Sequence, residues 1–501
     1  MESLDLNGKI LNATKWSVIT EIIAKLIVPI TNMILARILS PEAFGVVATI
    51  SLVTSFAEMF TDAGFQKYIV QHEFSDDQER KQNINVAFWT NLALSIIFWL
   101  IIILFSDRIA VLVGNPGLGN VLSIACIQIP ISSFSSLQMA LYKREFNFKS
   151  LFSARLAYII LPFLVTIPCA LFGLGYWALI IGNIAGHVSN SIVLTIKSSW
   201  RPNLFYRFSI LKEMLSYSIW TIIESTSIWM TSWIDILIVS TYLNQFYLGL
   251  YKTSMSTVSG ILSLVTASTT PVLFTALSRL QNSEAEFKRV FLSMQRNVSI
   301  LVLPMGVGIF CYRDLVTQIL LGNKWTEAAD IIGIWALTSS VTIVLSHYCS
   351  EVYRAKGKPI LSFFAQVIHL VVLIPVCIVF VKKGFWDFVY ARSLIRLQLV
   401  LANLIIMNVV IRMPITEVIR NISPMVLSSI VMGAFALVLK RMSNSLLYSF
   451  LSILLCIIVY FGLLILLPST RNEILSYCLH WTKLIKRFYN QVKYIIRGDI
   501  K

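Results

Sequence analysis

The chain has 501 residues, of which 57% are hydrophobic and 13% charged, and a formal net charge of +16. Ordinary soluble domains carry roughly 25% charged residues, so with a mean hydropathy of +0.76 a soluble globular protein is excluded and an all-α, polytopic membrane protein is expected. The positive charge lies in short links between apolar runs, where membrane topology demands it, and calls for no nucleic-acid partner.

The residues from Met1 to Lys15 are polar, and the first apolar run after them is a full span with no small-residue cleavage site, unlike a signal peptide. Apolar runs of roughly 20 residues, the length a bilayer needs, then follow one another. Hydropathy gives about fourteen spans, beginning near Trp16, Glu42, Ile84, Asn120, Ser150, Leu174, Leu211, Phe246, Arg289, Thr326, Ile360, Phe385, Thr416 and Leu446. Lys and Arg concentrate in the even-numbered links (Lys143, Arg144, Lys149, Lys197, Arg201, Arg354 and Lys356 among them), which places those links and both termini in the cytoplasm.

Charges inside the spans are the feature to explain, because each costs at least about 2.5 kcal/mol at the bilayer centre. In the first span Glu21, Lys25 and Asn32 share a helical face, with Pro29 beside them to bend the helix. Glu21 and Lys25 either neutralise each other as a structural pair or act with Pro29 as a switch. Near the cytoplasmic end of the second span Glu58 and Asp62, paired at i, i+4, read as a solvated helix end, with a gating role as the alternative. Arg155 near the inner end of the fifth span reads as a snorkelling side chain. The seventh span places Thr221, Glu224, Thr231 and Asp235 near one face, and Glu224 is a candidate partner for Lys25 or Arg396, or a binding group for a coupling H+ or Na+. Lys252, in the eighth span, has snorkelling as its default. In the twelfth, Arg392, Arg396 and Asn403 repeat the spacing of Glu21, Lys25 and Asn32. Two arginines cannot neutralise each other, so that pair needs an anion from outside.

His187, His347 and His369 lie in apolar runs without metal-ligand spacing and read as core residues. The cysteines are scattered and form no C-x-x-C pair, so no metal and no disulfide is expected. Pro130, Pro271, Pro304 and Pro375 interrupt further spans. The tail from Arg471 to Lys501 carries an apolar stripe of Leu484, Ile485, Phe488, Val492 and Ile495 among Lys and Arg, the pattern of a basic amphipathic helix on an anionic membrane surface.

The chain also echoes itself. Leu39-Ser40-Pro41-Glu42-Ala43-Phe44-Gly45-Val46 is matched by Leu243-Asn244-Gln245-Phe246-Tyr247-Leu248-Gly249-Leu250, and Val113-Gly114-Asn115 by Leu321-Gly322-Asn323. Leu141-Tyr142-Lys143-Arg144 is matched by Val352-Tyr353-Arg354-Ala355. Each echo lies six spans on, which implies two parallel, pseudo-symmetric six-helix bundles rocking around a central site. The expected division is residues 1–205 and 206–412 for the bundles, 413–468 for two additional helices and 469–501 for the tail.

The run from Leu35 to Gly45 resembles the opening signature of bacterial polysaccharide flippases of the multidrug/oligosaccharidyl-lipid/polysaccharide exporter superfamily. The resemblance continues through Asp62-Ala63-Gly64-Phe65, Leu141 to Lys149, Gly175-Tyr176-Trp177-Ala178-Leu179, Trp200-Arg201-Pro202, Leu248-Gly249-Leu250-Tyr251 and Leu321-Gly322-Asn323-Lys324-Trp325. It spans residues 14–408, with exporters of colanic or teichuronic acid type most similar in appearance. It implies movement of an undecaprenyl-diphosphate-linked oligosaccharide across the bacterial cytoplasmic membrane by a monomer that works alongside polysaccharide polymerase or assembly proteins. The diphosphate would then be the outside anion, because guanidinium offers a planar fork to phosphate oxygens. The expected substrate-binding set is Lys25, Arg392, Arg396 and Lys252, and the coupling or gating set is Glu21, Glu224, Asp235 and Pro29. No Walker motif, phosphate-cradling glycine loop or G-x-S-x-G elbow is present, so neither an enzyme nor a cofactor beyond a coupling ion is expected. A drug or metabolite antiporter of the same superfamily and a membrane-embedded glycan polymerase or ligase are the rival readings.

Overall fold

The computed structural model describes residues 16, 20, 23–24, 27–62, 64–145, 147–443 and 445–476, with the backbone alone for 216–221 and 224. The described residues form helices and turns, without a strand. Twelve of these helices are long and apolar enough to cross a membrane, from Pro41–Asp62 to Leu446–Leu466. Two more coincide with expected spans: a shorter apolar helix, Ile27–Ile38, and the 35-residue helix Phe208–Tyr242. The chain is therefore an all-α, multi-pass membrane protein.

Burial on these helices is inverted relative to a soluble protein. On Asp77–Leu104, Asn91 and Ser95 are buried while Ile97, Leu100 and Leu104 are exposed. Lipid accepts an apolar surface, but a polar group left in it costs several kcal/mol, so the polar face turns inward. Helix starts are fixed locally. The Asp76 carboxylate accepts from the Glu79 N–H at 2.6 Å, which satisfies one orphan donor of the first turn, and the Glu79 carboxylate accepts from the Ser75 N–H just before the cap at 2.6 Å. Within the span Gly119–Arg144 the helix breaks between Ala125 and Gln128. Pro130 accounts for the break, since its ring has no N–H to continue the ladder. Pro271, Pro304 and Pro375 instead lie inside continuous helices.

The chain folds as two compact units, one of Met1–Ala267, Val316–Ile332 and Ile360–Leu399, the other of Ser268–Leu315, Gly333–Pro359 and Val400–Lys501. In the first unit the echoed motifs meet one another. Gly45 and Gly249 form a reciprocal crossing: a Cβ on Gly45 would stand 2.0 Å from the Gln245 carbonyl oxygen, and one on Gly249 would stand 1.8 Å from that of Pro41. Only glycine lets the two helix starts approach this closely. Gly114, at φ 73°, is approached by the Ser240 carbonyl, and Gly322, at φ 89°, by the Arg37 side chain. A clasp completes the contact. Arg37 Nη2 donates to the Ile319 carbonyl at 2.8 Å, Lys324 Nζ to that of Ile38 at 2.8 Å and Trp325 Nε1 to that of Ala36 at 2.7 Å. The Lys324 and Trp325 bonds satisfy carbonyls that the end of the Ile27–Ile38 helix leaves without helical partners, and the Arg37 bond does the same at the end of Arg313–Leu320.

In the second unit, Glu284–Cys311 packs on Ile415–Lys440, which packs in turn on Leu446–Leu466. Arg296 bonds Glu473 at 2.6 Å. The third echo appears as equivalent tyrosines, one in each unit. The Tyr142 hydroxyl donates to the Leu194 carbonyl at 3.1 Å, and the Tyr353 hydroxyl donates to Asn403 Oδ1 at 3.0 Å. The expected amphipathic stripe from Leu484 to Ile495 lies outside the described residues.

Candidate functional site

A cavity of about 500 Å³ opens inside the first unit, within the roughly 300–1,000 Å³ typical of ligand sites. Its ionisable lining is Glu58 and Asp62 from Pro41–Asp62, Lys143 from Gln128–Arg144, Arg155 from Phe148–Leu171 and His187 from Tyr176–Lys197. Ser132, Ser133, Ser135 and Ser136 line it from one helix, with Asn91 and Asn190 from two others. Thr20 also reaches the cavity, so the first apolar run contributes to its wall.

The Ser132 hydroxyl donates to Glu58 Oε1 at 3.0 Å. Asn91 Nδ2 donates to the Ser136 hydroxyl at 2.6 Å, and Ser191 donates to Ser135 at 3.1 Å, joining two of the lining helices. Asp62 Oδ1 is buried and accepts no hydrogen bond. The Arg155 guanidinium lies over the Tyr158 ring at 5.5 Å, and Tyr158 meets His187 edge-on at 5.2 Å. No salt bridge within 4.0 Å joins Lys143 or Arg155 to a carboxylate among the described residues. The cavity therefore carries two carboxylates and two cations in a shell of hydroxyl and amide groups.

These positions differ from the sequence reading, in which Glu58 and Asp62 were a solvated helix end and Arg155 a snorkelling side chain. Spacing places a residue along a span, whereas the depth of a cavity follows from how the helices around it pack. The run of four serines was the available signal, since a hydroxyl-rich face has no use against lipid.

The expected residues outside this cavity separate into distinct places. Arg392 is buried, and its Nε donates to Asp235 Oδ2 at 2.8 Å. The Tyr251 hydroxyl donates to the same oxygen at 2.8 Å, and the Ile236 N–H donates to Asp235 Oδ1 at 2.8 Å. The expectation that Arg392 needs an anion from outside is thus corrected: Asp235, 157 residues away in sequence, supplies it. Three donors hold the Asp235 carboxylate. Arg396 begins the next helical segment and is half-buried. Lys252 Nζ stands 4.4 Å from the Trp233 ring centroid, a cation–π contact. Pro29 packs against Gly260, its Cγ 3.9 Å from where a Cβ would stand. His369 Nδ1 lies 2.9 Å from Gln398 Oε1. Glu21, Lys25 and the side chain of Glu224 lie outside the described residues, and the described residues contain no cluster able to hold a metal ion.

Comparison with known proteins places the chain in a family. The profile of the family described as polysaccharide biosynthesis protein matches residues 34–330, more than half of the chain. The succinoglycan biosynthesis transport protein ExoT of Rhizobium meliloti (strain 1021) is 24% identical over 65% of this chain and 65% of its own length, so the chain spans just under two thirds of that relative. The lipopolysaccharide biosynthesis protein WzxC of Escherichia coli (strain K12) is 20% identical over 75% of this chain and 76% of its own. The teichuronic acid biosynthesis protein TuaB of Bacillus subtilis (strain 168) is 19% identical over 72% and 74%. Among solved structures, the lipid II flippase MurJ in an inward closed conformation aligns over 90% of this chain and 98% of its own with a TM-score of 0.73 at 16% identity. A multidrug resistance MATE family transporter aligns over 80% and 95% with a TM-score of 0.55 at 13% identity. Both likenesses are of fold.

Proposed function

The chain belongs to the polysaccharide biosynthesis protein family, and from that premise we propose that it is a flippase carrying an undecaprenyl-diphosphate-linked oligosaccharide across the bacterial cytoplasmic membrane by alternating access. The observation that carries the reading is the mixed-charge, hydroxyl-lined cavity enclosed by apolar spans. Such a lining replaces the water that a glycan and its phosphates would otherwise lose on entering the membrane. Lys143 and Arg155 supply cations to the diphosphate there, and Arg155 adds the planar fork suited to phosphate oxygens. Lys25 and Arg396 extend the cationic path, while Arg392 positions Asp235 and Tyr251 and is less suited to direct contact. The prenyl tail remains in lipid.

In this reading both termini are cytoplasmic, alternating access comes from rocking of the echoed bundles, and H+ or Na+ coupling falls to Glu21 or Glu224, with Pro29 bending the first span. The protein acts as a monomer, with polymerase or assembly proteins consuming its product. The experiment is export of surface polysaccharide in a deletion strain complemented with variants. Arg155→Ala and Arg396→Ala should each abolish export at unchanged protein level, with lipid-linked repeat units accumulating in the inner leaflet. Normal export by Arg155→Ala would remove the cavity from the mechanism. A change in drug sensitivity alone, with export intact, would support the antiporter instead.

A further inference from the structure

We propose that the wall of the cavity built from Glu58, Asp62 and Ser132 reads the sugar adjoining the diphosphate, so that the site recognises the glycan as well as its charge. This rests on the flippase reading above.

The argument is one of hydrogen-bond complementarity. Ionised carboxylates only accept, whereas a serine hydroxyl both donates and accepts. Glu58 and Asp62 stand one helical turn apart, Glu58 takes a single bond from Ser132, and Asp62 is met by Gln66 while its Oδ1 accepts nothing. The wall therefore has acceptor capacity to spare. Its complement is a ligand presenting several closely spaced donors, as the adjacent hydroxyls of a hexose ring do. A diphosphate oxygen is itself an acceptor with no proton to offer the acceptor-rich wall, so it falls to Lys143 and Arg155. An organic cation would be drawn to the carboxylates but would meet those two cations in the same cavity. A neutral sugar joined to an anion satisfies both halves of the lining.

The test uses the purified full-length protein in lipid nanodiscs. The probes are undecaprenyl diphosphate and its glucose, galactose and N-acetylglucosamine conjugates, with ethidium as competitor. Wild-type protein should bind at least one conjugate about tenfold or more tightly than the bare lipid, the scale of one hydrogen bond to a charged group. Glu58→Gln should bring that ratio close to one. Ser132→Ala should reduce it, and serves as the second variant should Glu58→Gln lower thermal stability. Arg155→Ala should weaken bare and glycosylated lipid in parallel and keep the ratio. A wild-type ratio of one for all three sugars, or an unchanged ratio in both wall variants, overturns the sugar wall and leaves the flippase reading intact. Failure of the bare lipid and all conjugates to bind overturns the flippase reading itself. Displacement of a bound conjugate by ethidium supports an organic cation as the wall's occupant and overturns the assignment to sugar.

Discussion

Arg392 and Asp235 form a closed ion pair, 8% and 1% exposed at their side chains, with Tyr251 and a backbone N–H meeting the remaining carboxylate capacity. Removing either partner strands a buried charge, at a cost of about 3–5 kcal/mol. Arg392→Leu and Asp235→Leu should therefore each lower the unfolding midpoint of the purified protein sharply, and the double variant should be less destabilised than the sum of the two. Additive losses would show that the pair is not coupled. The sequence revealed both residues but not their union, because helical periodicity relates neighbours a turn or two apart and is silent on a contact 157 residues away. Glu58, Asp62 and Arg155 were misjudged for a related reason. A charge near a helix end has a cheap solvated explanation, and only the surrounding helices decide whether that end is wet or enclosed.

At the scale of the elements, the first pair of echoed segments meets in the fold. Gly45 and Gly249 occupy the same place in two matching motifs, and in the fold each makes room for the backbone of the other's motif. Overpacking such a contact costs typically about 1–3 kcal/mol. Gly45→Ala and Gly249→Ala should each reduce thermal stability, whereas Gly308→Ala, on a helix where a Cβ would meet nothing within 4 Å, should not. Equal tolerance at all three positions would contradict the close crossing. Trp325 is fully buried, donates to Ala36 and meets Phe44 edge-on at 5.2 Å. Trp325→Phe keeps the ring contact and loses the hydrogen bond, so it should cost about 1–3 kcal/mol, measured by thermal unfolding, from the unmet carbonyl. Leu321 to Trp325 carried the family resemblance, and the clasp gives those residues a physical task. Break points within the spans were less legible. Pro130 interrupts its span, yet Pro304 and Pro375 sit in unbroken helices, since neighbouring groups decide whether a freed carbonyl is met elsewhere.

At the scale of the molecule, composition alone led to an apolar bundle of helices, and the twelve spans among the described residues agree with it. What composition could not supply was the inward turn of the polar faces that line the cavity of the first unit. That space is the basis of the functional account, because apolar walls with a hydroxyl-rich, charge-balanced interior suit a cargo that is polar, anionic and tethered to a lipid. The most direct test is reconstitution of the full chain into sealed liposomes containing an undecaprenyl-diphosphate-linked oligosaccharide, with the fraction exposed on the outer leaflet followed over time. The account predicts movement that exceeds that of empty liposomes and disappears in Arg155→Ala. Movement no faster than in empty liposomes, or equal rates in the wild type and Arg155→Ala, would contradict it.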